Sequence, residues 1–294
     1  MTNHNGSLLS FANVSKVYGT KIALKDLSFS VKPGDRIALL GINGAGKSSL
    51  LNISTGIRKA SSGDVRLFGQ EPTKLTSRRE LGYLPQNLQF PPFLRVCEVI
   101  QTISRHFETP NDELVDVLDL RELWHASIGS LSGGQSRRVA LVCALISRPK
   151  LALLDEASNG MDIAMRSKVF DVLSDYFSDH GRALVFSTHH MDEVERLAKH
   201  VLVINEGRII EQGSVDQIKQ RYGLHRLVFK SDQSDINLDS ASKIQSKNGY
   251  WHAYASNKDP LIKEMVHKVP DATEISVHEA SLEEVFLTLT QDTL

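Results

Sequence analysis

Nine consecutive residues carry the first recognisable chemistry. Gly41, Ile42, Asn43, Gly44, Ala45, Gly46, Lys47 and Ser48 follow the pattern G-x-x-x-x-G-K-S, and Ser49 adjoins them. The glycines let the backbone curl until successive N–H groups point inward at an anion. A helix starting near Lys47 would add the positive end of its dipole at the same point. The Lys47 ammonium can neutralise β- and γ-phosphate oxygens, and the Ser48 hydroxyl is suited to ligate Mg²⁺. A second cluster supplies what this loop lacks. The apolar run Leu151, Ala152, Leu153, Leu154 ends in Asp155 and Glu156. Carboxylates at the end of a buried strand are costly unless paired or metal-bound. Asp155 can hold a Mg²⁺ shell directly or through water, and Glu156 can polarise an attacking water. Alone, such a strand could simply end in a polar turn; a phosphate loop upstream favours the chemical reading. Leu131, Ser132, Gly133, Gly134 and Gln135 form a third cluster, a serine and two glycines at a helix start. That is another anion cradle, and one nucleotide site does not need two.

The elements that must position these residues can be read from periodicity. Residues 9–15 and 27–31 read as short strands, followed by a turn at Lys32, Pro33, Gly34 and Asp35. Arg36–Leu40 is an apolar strand running directly into the glycine loop, and Ser49–Ile53 reads as the helix after it. Leu151–Leu154, Ala183–Phe186 and Val201–Ile204 are further buried strands, with Gln135–Ser147 and Met165–Ser178 as helices. Short apolar strands alternating with longer helices predict a covered, mainly parallel sheet. From about Pro91 to Gly129 the pattern is helical only, with Val96, Val99, Ile100 and Ile103 at helical spacing. Beyond a boundary near Gly223 come β-like runs at 226–229, 250–255 and 275–278 and a helix at 261–269. Ser281 and Glu284 have capping-box spacing, and Leu282, Val285, Phe286 and Leu289 share a helical face.

Composition narrows the function class. The 294 residues allow about two domains, and 41% hydrophobic with 23% charged residues is ordinary globular usage. Lys and Arg number 34 against 35 Asp and Glu, a formal net charge of −1, so no nucleic-acid partner is expected. The longest uninterrupted apolar run, Val139–Ile146, is far short of the roughly 20 residues of a membrane span. The N-terminal residues show no secretory signal. Cys97 and Cys143 have no metal or redox spacing and read as core residues of a cytoplasmic protein.

Leu131–Gln135, followed by Ser136, Arg137 and Arg138, resembles the signature of ATP-binding-cassette (ABC) ATPases. Ser132 lies 85 residues after Lys47 and 23 before Asp155, a spacing that also resembles the family. The resemblance implies an α/β P-loop NTPase fold with an ABC-type β-subdomain. It places an ATPase domain at 8–222, with a helical subdomain inserted at about 91–148, and a small α+β accessory domain at 223–294. Through it, Gln86 is similar to the glutamine that senses Mg²⁺ and the γ-phosphate, and His189 to the switch histidine. His190, beside it, reads as a surface helix residue. Tyr18 is similar to the aromatic residue that stacks on adenine. Ser158, Asn159, Gly160, Met161 and Asp162 resemble the D-loop, which crosses the interface of a dimer. The implied catalytic set is Glu156, His189 and Gln86, with Ser48, Asp155 and Gln86 at Mg²⁺. The implied partners are a second copy, in a head-to-tail dimer around two ATP molecules, and a separate multi-span membrane permease at the inner face of the cell membrane.

Three departures stand out. Ala157 replaces the usual Pro, and a Pro there would hold Glu156 extended; Ala is expected to leave the base less pre-set. Met161 replaces Leu, and Ser136 replaces a common Gln. None removes a reacting group. The stretch 280–289 resembles the ending of ATPase subunits from export systems, although an ordinary amphipathic terminal helix has the same pattern. The reading is therefore an export ATPase, with an importer subunit or a non-transport ABC ATPase as alternatives.

Overall fold

A long antiparallel hairpin opens the chain, β1 (Leu9–Tyr18) and β2 (Lys21–Val31), and β3 (Arg36–Leu40) then enters a second sheet. The computed structural model describes residues 6–179, 181–221, 225–279 and 281–291. The phosphate loop runs from β3 into α1 (Lys47–Ser54). β4 (Ser62–Leu67) returns to the hairpin and completes a three-stranded antiparallel sheet in the order β2-β1-β4. β5 (Leu81–Leu84) is followed by α2 (Val96–Ser104), α3 (Glu113–Val117) and α4 (Gly133–Leu145), with no strand among the described residues of this stretch. Then follow β6 (Leu151–Asp155), α5 (Ile163–Tyr176), β7 (Ala183–Ser187), α6 (Met191–Leu197), β8 (His200–Asn205) and β9 (Arg208–Ser214).

The second sheet has the order β5-β6-β7-β3-β8-β9 and is parallel from β5 to β8. β8 and β9 meet at a two-residue turn, Glu206 and Gly207, both with positive φ (47° and 75°), the backbone that matches strand twist in a tight hairpin. One core joins the two sheets. Leu9, Val14, Leu24 and Leu27 of the hairpin, Leu50, Leu51 and Ile53 of α1, and Leu153, Val185 and Leu202 of the parallel strands are all buried in it. Full burial of each such side chain contributes about 1.5–3 kcal/mol, so the helix behind the phosphate loop is firmly seated. Cys97 is buried, and burial pushes the Cys143 thiol up to about 12, which keeps it protonated and inert.

The chain divides into two compact units, Met1–Gln212 and Gly213–Leu294. The boundary expected at 222/223 rested on Gly223, which lies outside the described residues. The division precedes α7 (Val215–Arg221), whose start is capped reciprocally by Ser214 and Gln217 at 3.0 and 3.1 Å. The second unit adds β10 (His225–Lys230), β11 (Lys243–Lys247), β12 (Tyr250–Ala255), α8 (Lys258–Lys268), β13 (Thr273–Glu279) and α9 (Leu282–Gln291). Its strands form an antiparallel sheet, β11-β12-β10-β13. Leu261, Met265 and Val269 share a core with Leu227, Phe229 and Ala253 of that sheet. Ser281 and Glu284 form the expected capping box at 2.9 and 3.3 Å, and Glu284 also accepts from Arg226 at 2.7 Å.

Candidate nucleotide site

The loop after β3 has the backbone that its glycines suggest. Gly44 and Gly46 have φ of 85° and 117°, which side-chain-bearing residues rarely adopt. A Cβ on Gly46 would lie 2.6 Å from the Ala23 carbonyl oxygen, and one on Gly41 would lie 2.4 Å from that of Ile204. Close approach and torsion thus both demand glycine. Ala45 is buried and its carbonyl accepts the Gly207 N–H at 2.9 Å, while Ile42, Asn43 and Gly44 are exposed. Gly46 is the N-cap of α1, where no side chain caps the helix and no acidic residue sits in the first turn. The first N–H groups of the helix can therefore serve an anion. Lys47 Nζ donates to the carbonyls of Gly41 at 2.6 Å and Ile42 at 3.2 Å, which holds the ammonium over the loop. Burial pulls its pKa down, against the upward pull of Glu156 and Asp155. A polyphosphate would offset that desolvation.

The two acids at the end of β6 take different surroundings. Asp155 Oδ1 accepts from the Ser187 hydroxyl, whereas Oδ2 is buried without a hydrogen-bond partner. An orphaned carboxylate oxygen in a phosphate-binding pocket fits a divalent cation. Asp155 and the Ser48 hydroxyl line the same pocket, a sparse oxygen donor set of the kind that suits Mg²⁺, which keeps several waters and takes phosphate oxygens alongside one or two protein ligands. Glu156 has φ of 54°, left-handed rather than the extended backbone that a following Pro would favour. Its N–H donates to the Ser187 carbonyl and hydroxyl, both at 3.1 Å. Its Oε2 accepts from Gln86 Nε2 and Asn159 Nδ2, each at 3.2 Å, and its Oε1 lies 4.0 Å from His189 Nδ1.

One pocket is lined by Tyr18, Asn43, Gly44, Gly46, Lys47, Ser48, Ser49, Gln86, Asp155 and Glu156, together with Lys21 and Ala23. Residues far apart in sequence are thereby brought together. Tyr18 stands at the end of β1, 41% exposed, with Lys16 Nζ 4.8 Å from its ring centroid. His189 is exposed and its ring packs on His190 at 4.0 Å. His190, expected as a surface helix residue, is instead the half-buried N-cap of α6, held between His189 and Arg166 Nη1.

Leu131, Ser132, Gly133, Gly134 and Gln135 do not line this pocket; Leu131 and Ser132 lead into α4, and Gly133 to Gln135 open it. Ser132 N-caps the helix, exchanging bonds of 2.9 and 3.2 Å with Gln135. Nothing lies within 4 Å of where a Gly133 Cβ would be, but one on Gly134 would sit 2.4 Å from the Gly160 carbonyl oxygen. The Ser132 loop and the 158–162 loop of one chain therefore touch through glycine. Asp162 caps α5, accepting from Met165 N–H at 2.9 Å.

Arg137, named within the signature stretch but given no role there, also supports the site. It is 9% exposed, and its guanidinium donates to the carbonyls of Pro85 (2.7 Å), Gln86 (3.0 Å), Glu156 (3.2 Å) and Asp155. One side chain thus fastens the ends of β5 and β6, which carry Gln86 and Glu156. Arg137→Met should leave these carbonyls short of donors and destabilise the chain by about 1–3 kcal/mol in denaturant unfolding. An unchanged midpoint would refute the clamp.

The family model described as ABC transporter matches residues 24–159. The chain is 31% identical to Nod factor export ATP-binding protein I of Burkholderia orbicola, covering 96% of each chain. It is 32% identical to the uncharacterized ABC transporter ATP-binding protein YxlF of Bacillus subtilis, covering 90% of this chain and 84% of that one. Among solved structures it is similar to a dimeric ATP-binding cassette in a post-hydrolysis state bound to ADP and Pi. That likeness has a TM-score of 0.65 at 22% identity, over 70% of this chain and 98% of the other.

Proposed function

Because this chain belongs to the ABC transporter family as an ATP-binding, ATP-hydrolysing subunit, we propose that residues in and beside the pocket divide the reaction among themselves as follows. The loop amides 41–46 and Lys47 bind the phosphates, and Tyr18 packs on the base. Ser48, Asp155 and the Gln86 side-chain oxygen would hold Mg²⁺, which would supply neutralisation of the phosphate charge. Glu156 orients a water and accepts its proton, and His189 steadies the γ-phosphate. What carries this reading is the convergence of Lys47, Ser48, Gln86, Asp155 and Glu156 on one pocket. The two amides on Glu156 Oε2 fix the carboxylate while leaving Oε1 for the water. Pre-set geometry of this kind is how positioned bases gain their advantage.

The position of Ser132 outside the pocket supports a second step. An anion cradle that cannot serve its own nucleotide is suited to the nucleotide of another copy, as in a head-to-tail dimer. Ser132→Arg should bind ATP in isolated chains with ordinary affinity yet fail to dimerise and turn over, read by sizing chromatography and phosphate release. Normal turnover would refute completion of the site by a partner copy.

No helix among the described residues is long and apolar enough to cross a membrane. Transport would then need a separate multi-span permease, holding this subunit at the inner face of the membrane. The names of relatives that align along nearly the whole chain favour export. In this reading 8–222 is the ATPase domain and 223–294 an accessory domain. Affinity capture of the full chain from membranes tests the assignment: a multi-span protein should co-purify, and a soluble or nucleic-acid partner instead would overturn it.

A further inference from the structure

Behind the pocket lies a buried carboxylate that the proposed reaction does not use. Glu193, in the first turn of α6, is 3% exposed. Its Oε1 accepts from the Ser158 hydroxyl at 2.6 Å, and its Oε2 accepts from the Thr188 hydroxyl. Ser158 and Thr188 are themselves buried, and they belong to different loops. Ser158 opens the segment 158–162 that touches the Ser132 loop through Gly134 and Gly160. Thr188 directly precedes His189, and its hydroxyl accepts the N–H of His190 at 3.0 Å. Arg166, on α5, closes the group from the other side. Its Nε is 3.9 Å from Glu193 Oε1, its Nη2 donates to Asp192 at 3.0 Å, and its Nη1 meets His190 at 3.3 Å. A fully buried acid is costly and persists where its oxygens are satisfied. Here both are satisfied by hydroxyls on the two loops that flank Glu156.

We propose that Glu193 is a positioning residue that couples the 158–162 loop to His189 of the same chain. The two loops share one rigid carboxylate, so displacement of Ser158 must move Thr188 or break a buried hydrogen bond. The same loop carries Asn159, which holds Glu156 at 3.2 Å. A second copy pressing on 158–162 would thus reach the histidine through Glu193 and the base by the separate contact of Asn159. The proposal rests on the reading of His189 and Glu156 as reacting groups.

The test uses the purified full chain, with ATP affinity and steady-state turnover measured separately. Glu193→Gln keeps the volume but cannot accept from both hydroxyls as the carboxylate does. It should lower kcat by about tenfold while the Kd for ATP moves less than threefold. Ser158→Ala, which removes one hydroxyl and leaves the acid in place, should give a similar loss, and the double variant should be no worse than either. In a His189→Ala background, Glu193→Gln should cost nothing further, because its effect passes through that histidine. An unchanged kcat in both single variants would overturn the proposal, as would losses that multiply with that of His189→Ala. Full turnover in His189→Ala alone would overturn the histidine reading and this proposal with it, a distinguishable result.

Discussion

Glu156→Gln is expected to bind ATP with near-normal affinity and to lose turnover by about 10²–10⁴-fold, the usual range for a positioned general base. The replacement preserves length and shape, so the phosphate loop, Lys47 and Ser48 are untouched. What disappears is an oxygen able to accept a proton from water. The conformation that makes Glu156 useful is also held at a cost. A non-glycine residue with φ of 54° costs about 1–3 kcal/mol and persists where its surroundings enforce it. Here the Glu156 N–H is tied to Ser187, its carbonyl to Arg137 and its carboxylate to Gln86 and Asn159. These bonds, rather than a proline at position 157, set the base. Ala157, expected to leave the base less pre-set than a proline would, is accompanied by these four partners of Glu156. Nucleotide binding by fluorescence and phosphate release in the same preparation separate the two steps. Rapid turnover in the variant would remove Glu156 from the role of base.

Contiguous motifs made most of this site legible in the sequence. Gly41–Ser49 is one unbroken loop and helix start, and its required glycines and lysine are adjacent in the chain. The strands that carry the chemistry were equally clear, since 37–40, 151–154 and 183–186 are buried and hence continuously apolar. The strands missed by periodicity are of another kind. β4 (SGDVRL) and β11 (KIQSK) lie at sheet edges, where polar and charged residues are tolerated, and β5 has four residues with a glycine among them. Their pairing partners define them more than their composition does. The positioning residues were illegible for a related reason. Ser187, Arg137 and Glu193 act on groups 18 to 52 residues away, except where Glu193 meets nearby Thr188. A signal did exist for Arg137, which lies four residues before Leu141 on the buried face of α4. A charge on an apolar helical face demands an internal partner.

Lys47→Ala should weaken ATP binding by about 10²–10³-fold or more, the scale expected when one partner of a partly buried charge pair is removed. Burial has already removed part of the ammonium's hydration, so less is lost when a phosphate arrives, and the Coulomb attraction is less screened than in water. Truncation would also remove the bonds from Nζ to the Gly41 and Ile42 carbonyls, which help hold the loop in its curled form. The two contributions can be separated with Lys47→Arg. Its charge is kept, but the planar fork cannot reproduce the compact ammonium contacts. If charge alone mattered, arginine would restore most of the affinity; if geometry matters as well, as the 2.6 Å bond to Gly41 indicates, arginine should recover only part. The seated core under α1, with Leu50 and Leu51 fully buried, should leave unfolding of both variants within about 1 kcal/mol of the parent. A loss of affinity with stability preserved would place the effect in the phosphate site, and unchanged ATP binding by Lys47→Ala would overturn it.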